Sequence, residues 1–294
     1  MKHSYSLFFV YLLSLISYCC VGQQLYSIPK QTIDPYKILG PQSSDKYNVP
    51  WTYTITPKTM KLDMDSFEIS KLVTYGEYKQ YLSVLKKDSS NKFYLSQMPD
   101  TLMCLPEVYK EYTTGNKYDD YPVMGIRWDA AMNYCRWKTI QSNKDSIKYI
   151  YRLPCESEWL DAFNYLNSAQ IKNDLSQNYS DWLLNTFDEG AYDMVDEKNN
   201  VHGNNFDYIY LATKIDPPVL KRKRVIGDSY LFKMPSLADY DGICYHFNQG
   251  YRQVGFRCIK EIVDSKDIIN RFGKSQSSMD IQLLKNWGLN YSKQ

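Results

Sequence analysis

The chain has little of what redox or soft-metal centres are usually built from. It carries three histidines (His3, His202 and His246) and no Cys-x-x-Cys pair, so a zinc or iron site assembled from several imidazoles finds no support. Charge of one sign is also scarce. Across 294 residues, 35 Lys and Arg face 33 Asp and Glu, and the net charge of +2 gives no electrostatic reason to expect nucleic acid as a partner. The apolar run Leu7 to Ile16 falls short of the ~20 residues a spanning helix needs. Internal repeats and low-complexity stretches are missing as well.

Aromatic residues, by contrast, are plentiful. At 15% of the chain, with 28 tyrosines, they mark an ordered globular protein long enough to bury one large core or two small ones. Residues 1–22 read as a secretory signal, with Lys2 and His3 ahead of the apolar run and small or polar residues after it. Cleavage after Gly22 leaves Gln23 first. Lipid attachment at Cys19 or Cys20 is the alternative, although Tyr18 and Cys19 are larger than the small residue expected before a lipidated cysteine. Either route exports the domain, to the periplasm or the outer membrane. Five cysteines follow: Cys104, Cys135, Cys155, Cys244 and Cys258. Their odd number leaves at least one thiol unpaired within the chain, and no pairing is fixed. Cys135 and Cys258 lie in segments that read as core, where a free cysteine behaves as a small hydrophobe.

Residues 23–50 are polar and turn-rich, an extended lead-in without a periodic apolar face. Trp51 to Thr56 has strand composition, and Lys61 to Ile69 alternates with Leu62, Met64, Phe67 and Ile69 as the inward set. Thr74 with Glu77 three residues on forms a capping box, and Tyr78, Tyr81, Leu82 and Leu85 continue the apolar face of the helix it starts. A second helix is expected from Asp129, with Trp128 ahead of the cap as a hydrophobic staple; Ala131, Met132, Cys135 and Ile140 recur at helical spacing. A third follows Leu153-Pro154. The run Lys221-Arg222-Lys223-Arg224 reads as a solvated loop or strand edge, with an anionic patch-binder as the alternative. Val225 to Tyr230 and Gly250 to Ile259 read as strands. Residues 262–294 form a polar tail ending in a short amphipathic helix over Met279 to Trp287.

Four segments in fixed order carry a resemblance. They are Phe67 to Thr74 with Tyr78, Tyr121-Pro122-Val123 through Trp128 to Trp137, Tyr151-Arg152-Leu153-Pro154-Cys155-Glu156-Ser157-Glu158-Trp159, and Gly255-Phe256-Arg257-Cys258. Together they resemble the formylglycine-generating enzyme (sulfatase-modifying factor) domain. The resemblance implies an α+β, loop-rich variant of the C-type-lectin-like fold over residues 51–261. Its structural signature here is Trp128, Trp137, Arg152, Glu156, Glu158, Trp159, Gly255, Phe256 and Arg257. Where the family caps its third helix with Thr, this chain has Cys155, a poorer acceptor that is expected to cost about 1 kcal/mol.

The family's enzymes oxidise a sulfatase cysteine with a cysteine pair, because only a thiolate is nucleophilic and binds Cu(I) well. At the matching positions this chain has Phe232 and Leu237, or neighbours equally unable to form a thiolate (Lys233, Met234, Pro235 and Ser236). Cys244 with Cys258 is the one displaced pair left to weigh as catalytic. The family's calcium loop keeps Gly190 to Met194, and Asp193 with the following Asp196, Glu197, Asn199 and Asn200 offers oxygens at a different spacing. They read as solvated loop residues, with a structural calcium ion as the alternative and no other cofactor expected. Glu156 and Glu158, two apart at a helix start, favour the exposed N–H groups and the macrodipole; they are not read as an acid–base pair.

The expected function is thus a non-catalytic binding or structural module of the bacterial cell envelope. Trp137-Lys138-Thr139 resembles the ending found in the K and J lipoproteins of gliding motility and type IX secretion, which implies envelope proteins as partners. A copper-dependent oxidase and a lectin-like binding domain are the rivals.

Overall fold

The computed structural model describes residues 24–39, 61–143, 149–168, 179–186, 222–227 and 244–262. The signal segment, Trp51 to Thr56 and the C-terminal tail lie outside these residues. Within them no helix is long and apolar enough to cross a membrane.

Three sheets organise the described residues. The first takes β1 (Leu25–Ile28), β4 (Phe67–Ser70), β10 (Ile259–Ile262) and β5 (Tyr149–Arg152) in that order, every pair antiparallel. The second is the pair β2 (Gln31–Ile33) and β3 (Leu62–Met64). The third runs β8 (Cys244–His246), β7 (Arg222–Ile226), β6 (Ser180–Thr186), β9 (Val254–Gly255), with β6 and β9 parallel. The lead-in is therefore more than an approach to the domain: Leu25 pairs with Ser70 and Ile28 with Phe67, so β1 forms an edge of the first sheet. It lacks a periodic apolar face because short strands this polar need only one inward residue each, Ile28 and Ile33.

The alternation over 61–69 is realised, with Leu62, Met64, Phe67 and Ile69 all buried. Helix α2 (Tyr75–Asp88) starts on the capping box, Thr74 Oγ1 accepting from the Glu77 N–H at 3.2 Å and the Glu77 carboxylate from the Thr74 N–H at 2.8 Å. Its inner face meets α5 (Trp128–Ser142) through rings. Tyr78, Tyr81, Tyr134, Trp137 and Phe256 lie with centroids 5.4–6.2 Å apart. Burying phenols requires partners for their hydroxyls, and Gln97 supplies two: its carbonyl accepts from Tyr78 and its side-chain oxygen from Tyr81. Between α2 and α5 the chain makes α3 (Asn91–Gln97), a single 3-10 turn at Thr101–Met103, and α4 (Pro106–Thr114).

One expectation about a helix start needs correction, and another helix start gains a partner. Trp128 is the first residue of α5, preceded by Arg127, which makes no side-chain capping bond. The indole is buried and donates to the Leu183 carbonyl at 2.7 Å, so tertiary packing rather than a local staple fixes this end. At α6 (Glu156–Ser168), half of a capping box survives the loss of Thr. Glu158 reaches back to accept from the Cys155 N–H at 2.7 Å while the Arg152 guanidinium grips both its oxygens at 2.7 and 2.6 Å.

Farther along α6, Asp161 is fully buried. Gln31 of β2 donates to its Oδ1, and Oδ2 has no hydrogen-bond partner. Burial, partly offset by the Gln31 bond and reinforced by the Glu158 charge, raises this carboxyl from 3.8 to about 6. Here the folded state holds the proton more tightly than the unfolded chain. The group's contribution to stability therefore falls as pH rises from about 4 to about 6 and is flat above that. Asp161→Asn is expected to be more stable than the parent at pH 7, with the advantage shrinking by roughly 1 kcal/mol at pH 5. Urea unfolding at the two pH values checks this, and a pH-independent difference refutes it.

Candidate functional site

Phe232 and Leu237, expected from the resemblance to stand where family enzymes carry their cysteine pair, fall outside the described residues, as do Asp193, Asp196, Glu197, Asn199 and Asn200. The frame around the first of these segments is described. It leaves β7 at Gly227 and returns at Cys244, on strands paired with Arg224 opposite Cys244 and Arg222 opposite His246. The segment thus leaves and rejoins the third sheet, whose strand β7 carries buried charge.

Half of the basic run is not solvated, although Arg222 is exposed. Lys223 is 1% exposed and Arg224 3%. Arg224 Nη1 meets the buried Glu156 carboxylate at 2.6 Å, so Glu156 also does more than sit at a helix start. The Lys223 ammonium lies over the Trp128 ring, 4.4 Å from its centroid, and burial lowers its pKa to about 7. Beside them Asp181 of β6 is fully buried. Its Oδ2 accepts from Arg257 Nε and from Trp159 Nε1, both at 2.8 Å. Burial raises the Asp181 carboxyl, with Arg257 and the Trp159 bond pulling it back down. Of the signature, Trp159 and Arg257 are joined through Asp181, Glu156 pairs with Arg224, and Arg152 holds Glu158. Asp181 was not singled out in the sequence, where a lone aspartate heading Trp182-Leu183-Leu184 was the available signal. Arg224 was read as part of a solvated run, and its signal was its place opening the apolar pair Val225-Ile226.

The sulfurs are distributed unexpectedly. Cys258 has Cys135 of α5 beside it, Sγ to Sγ 3.6 Å, and both are 0% exposed. Cys244 sits on β8, with its side chain outside the described part. Cys155 is buried, and Cys104 is half-buried with its pKa raised by burial more than the Arg252 charge lowers it. A thiol so placed stays protonated at neutral pH. Among the described residues no group of three His, Cys, Asp or Glu is placed to hold a metal ion.

Sequence reasoning missed a half-exposed aromatic face beyond β8. The Tyr245 and Tyr251 rings lie 4.2 Å apart, tilted 32°, with Trp182 behind them at 6.2 and 6.0 Å. Gln253 donates to the Tyr245 hydroxyl at 3.0 Å, and Tyr251 donates to Gln249 at 2.9 Å. The turn that presents them is held closely. Gly250 N–H donates to Asp100 Oδ2 at 3.1 Å, Asp100 N–H to the Gly125 carbonyl at 2.7 Å, and Gly125 N–H to the Tyr251 carbonyl at 3.2 Å. Gly125 takes φ +70°, and a Cβ there would strike the Met103 sulfur. Fixed rings flanked by amides suit binding by stacking and hydrogen bonding, with no proton transfer or nucleophile required.

A family model for the sulfatase-modifying factor enzyme 1-like domain matches residues 42–262. No curated protein sequence matches the chain. Among solved structures, PvdO from Pseudomonas aeruginosa is similar at a TM-score of 0.54 and 13% identity, over 83% of this chain and 96% of that one, a likeness of fold alone. CarF (TM-score 0.47, 15% identity, 83% of this chain and 99% of that one) and Treponema denticola variable protein 1 (0.43, 13%, 80% and 94%) are looser likenesses and carry no weight.

Proposed function

The chain belongs to the sulfatase-modifying factor enzyme 1-like domain family, with its α+β, loop-rich fold, and from that membership we propose that it is a non-catalytic binding and structural module of the bacterial cell envelope, working within a gliding or type IX secretion apparatus. The observation that carries the reading is the placement of sulfur. The two thiols that stand together, Cys135 and Cys258, have no exposed surface, so no substrate cysteine, oxygen or copper ion reaches them from solvent. Phe232 and Leu237, at the family's catalytic positions, form no thiolate. Arg224 with Glu156 and Arg257 with Asp181 are held in buried ion pairs, as befits a scaffold.

The test is direct. Purified protein incubated with a cysteine-containing sulfatase peptide, copper and oxygen is expected to leave the peptide mass unchanged. Formylglycine in the product overturns the proposal and restores the oxidase. Cross-linking in intact cells is expected to place the domain against a large outer-membrane assembly. A lectin-like role is the second reading, favoured by the Tyr245–Tyr251 pair at the surface. A glycan array separates it, since binding lost in Tyr251→Ala would favour the lectin.

A further inference from the structure

We propose that the outward face of α4, with the turn before it, is a docking surface whose occupant is the chain's own C-terminal segment, Met279 to Trp287. Of the five large hydrophobic side chains exposed among the described residues, four fall between residues 95 and 108: Leu95 at 58%, Leu102 at 90%, Leu105 at 69% and Val108 at 44%. Exposed leucines scattered singly mean little, but a group of them marks a binding surface. Leu105 is the most telling. It stands at the N-cap of α4, where Ser, Thr, Asp or Asn would hold a free N–H, and it makes no capping bond. A residue that neither caps nor packs does little for the fold that carries it.

These side chains cannot turn inward, because the backbone beneath them is held from the other side. Asp100 caps the turn, its Oδ1 accepting from the Leu102 N–H at 2.9 Å, and Met103 between the two leucines is buried beside Gly125. The Tyr109 hydroxyl donates to the Pro99 carbonyl at 2.9 Å and ties α4 to the turn. Farther along α4, the Tyr112 ring stacks on Tyr75 at 4.2 Å, and its hydroxyl accepts from the Met124 N–H at 3.0 Å. The inner side of α4 is engaged, so the leucines are presented on a fixed support.

Charge and reach select the occupant. Across residues 95–120 five carboxylates, among them Asp100, Glu107 and Glu111 of the turn and α4, stand against Lys110 and Lys117. That balance repels an anionic lipid surface, and it sets like charge against like where a second copy would meet the same face. The C-terminal segment complements it in both charge and apolar character. Residues 271–294 carry Arg271, Lys274, Lys285 and Lys293 against Asp280 alone, and Met279, Leu283, Leu284 and Trp287 recur at helical spacing. The segment lies outside the described residues and follows β10, which ends at Ile262. Residues 263–278 can span up to ~50 Å, about the width of a domain this size. Such a tether supplies the segment at roughly millimolar local concentration, so an affinity of about 0.1 mM keeps about ten molecules docked for each one open.

The test puts photoreactive benzoylphenylalanine in place of Leu102 in the full chain, where the side chain meets solvent and the fold tolerates it. Irradiation is expected to give a cross-link within one chain, from residue 102 to a peptide spanning Met279 to Trp287. Leu283→Asp with Leu284→Asp is expected to abolish that link. The same double variant is expected to let a soluble maleimide modify Cys104, the half-buried thiol between Leu102 and Leu105, about tenfold faster in the folded protein. A cross-linked dimer joined at this face, a lipid adduct formed with added phosphatidylglycerol vesicles, or the absence of any link to the C-terminal segment overturns the proposal. An unchanged Cys104 rate does so too. The cross-link is read in a chain whose C-terminal segment is unaltered, so it decides the matter even where the double variant is less stable.

Discussion

Replacing Arg257 with methionine is expected to cost about 3–5 kcal/mol of unfolding free energy, a third or more of what a domain this size has to lose. The reason is the group left behind. Asp181 has no exposed surface, and burial already raises its pKa against the pull of Arg257. Without the guanidinium, the carboxylate keeps only the Trp159 N–H on Oδ2, and its other oxygen has no partner. The charged form is then stranded in the core, and protonation relieves it. The loss is therefore expected to be smaller at pH 5 than at pH 7. Removing both charges, as Arg257→Met with Asp181→Leu, is expected to recover much of it, because a buried pair replaced by apolar groups is near neutral. Urea unfolding of the three variants checks the series. A single variant within about 1 kcal/mol of the parent would show that the pair is not what anchors β6 to the closing segment.

Gly250→Ala is the second large effect. A Cβ at this position would lie 1.9 Å from the Gly125 carbonyl oxygen, 2.4 Å from its carbon and 2.8 Å from Asp100 Cβ. Two of these contacts are backbone, so no rotamer relieves them, and the strands of chain must part. That parting breaks the Asp100–Gly125, Gly125–Tyr251 and Gly250–Asp100 hydrogen bonds together. A loss of about 3 kcal/mol is expected, the upper end for overpacking because buried backbone groups are also left unpaired. Trp182 lies behind Tyr251, so its near-ultraviolet dichroism should change with the melting point. Gly115→Ala is the control. Its Cβ would approach the Glu111 carbonyl at 3.3 Å and the Lys117 nitrogen at 3.9 Å, and it should cost little. Equal melting points for the two variants would refute the argument.

What the sequence made legible was local. The Thr74–Glu77 box and the alternation from Leu62 to Ile69 depend on neighbours a few residues away, and both appear as read. The signature residues of the resemblance are described where the fold requires them, in the ion-paired and aromatic core. Lys223 and Arg224 were misread because hydropathy assigns a cost to charge without knowing that Glu156, 68 residues away from Arg224, is there to receive it. Leu25–Ile28 was hidden because an edge strand with one buried residue has almost no pattern of its own. The Cys135–Cys258 contact and the Tyr245–Tyr251 face arise where distant segments meet, and no spacing within either segment announces them.

Strand β10 lies inside the first sheet, hydrogen-bonded to β4 on one side and β5 on the other. The piece of the domain that leaves the ribosome last therefore occupies the middle of a layer whose edge, β1, emerged first. Until residues 259–262 are available, β4 and β5 have no common neighbour and the layer cannot close. A nascent chain built this way keeps the layer open through nearly all of its synthesis, so no stable core of this sheet precedes the final strand.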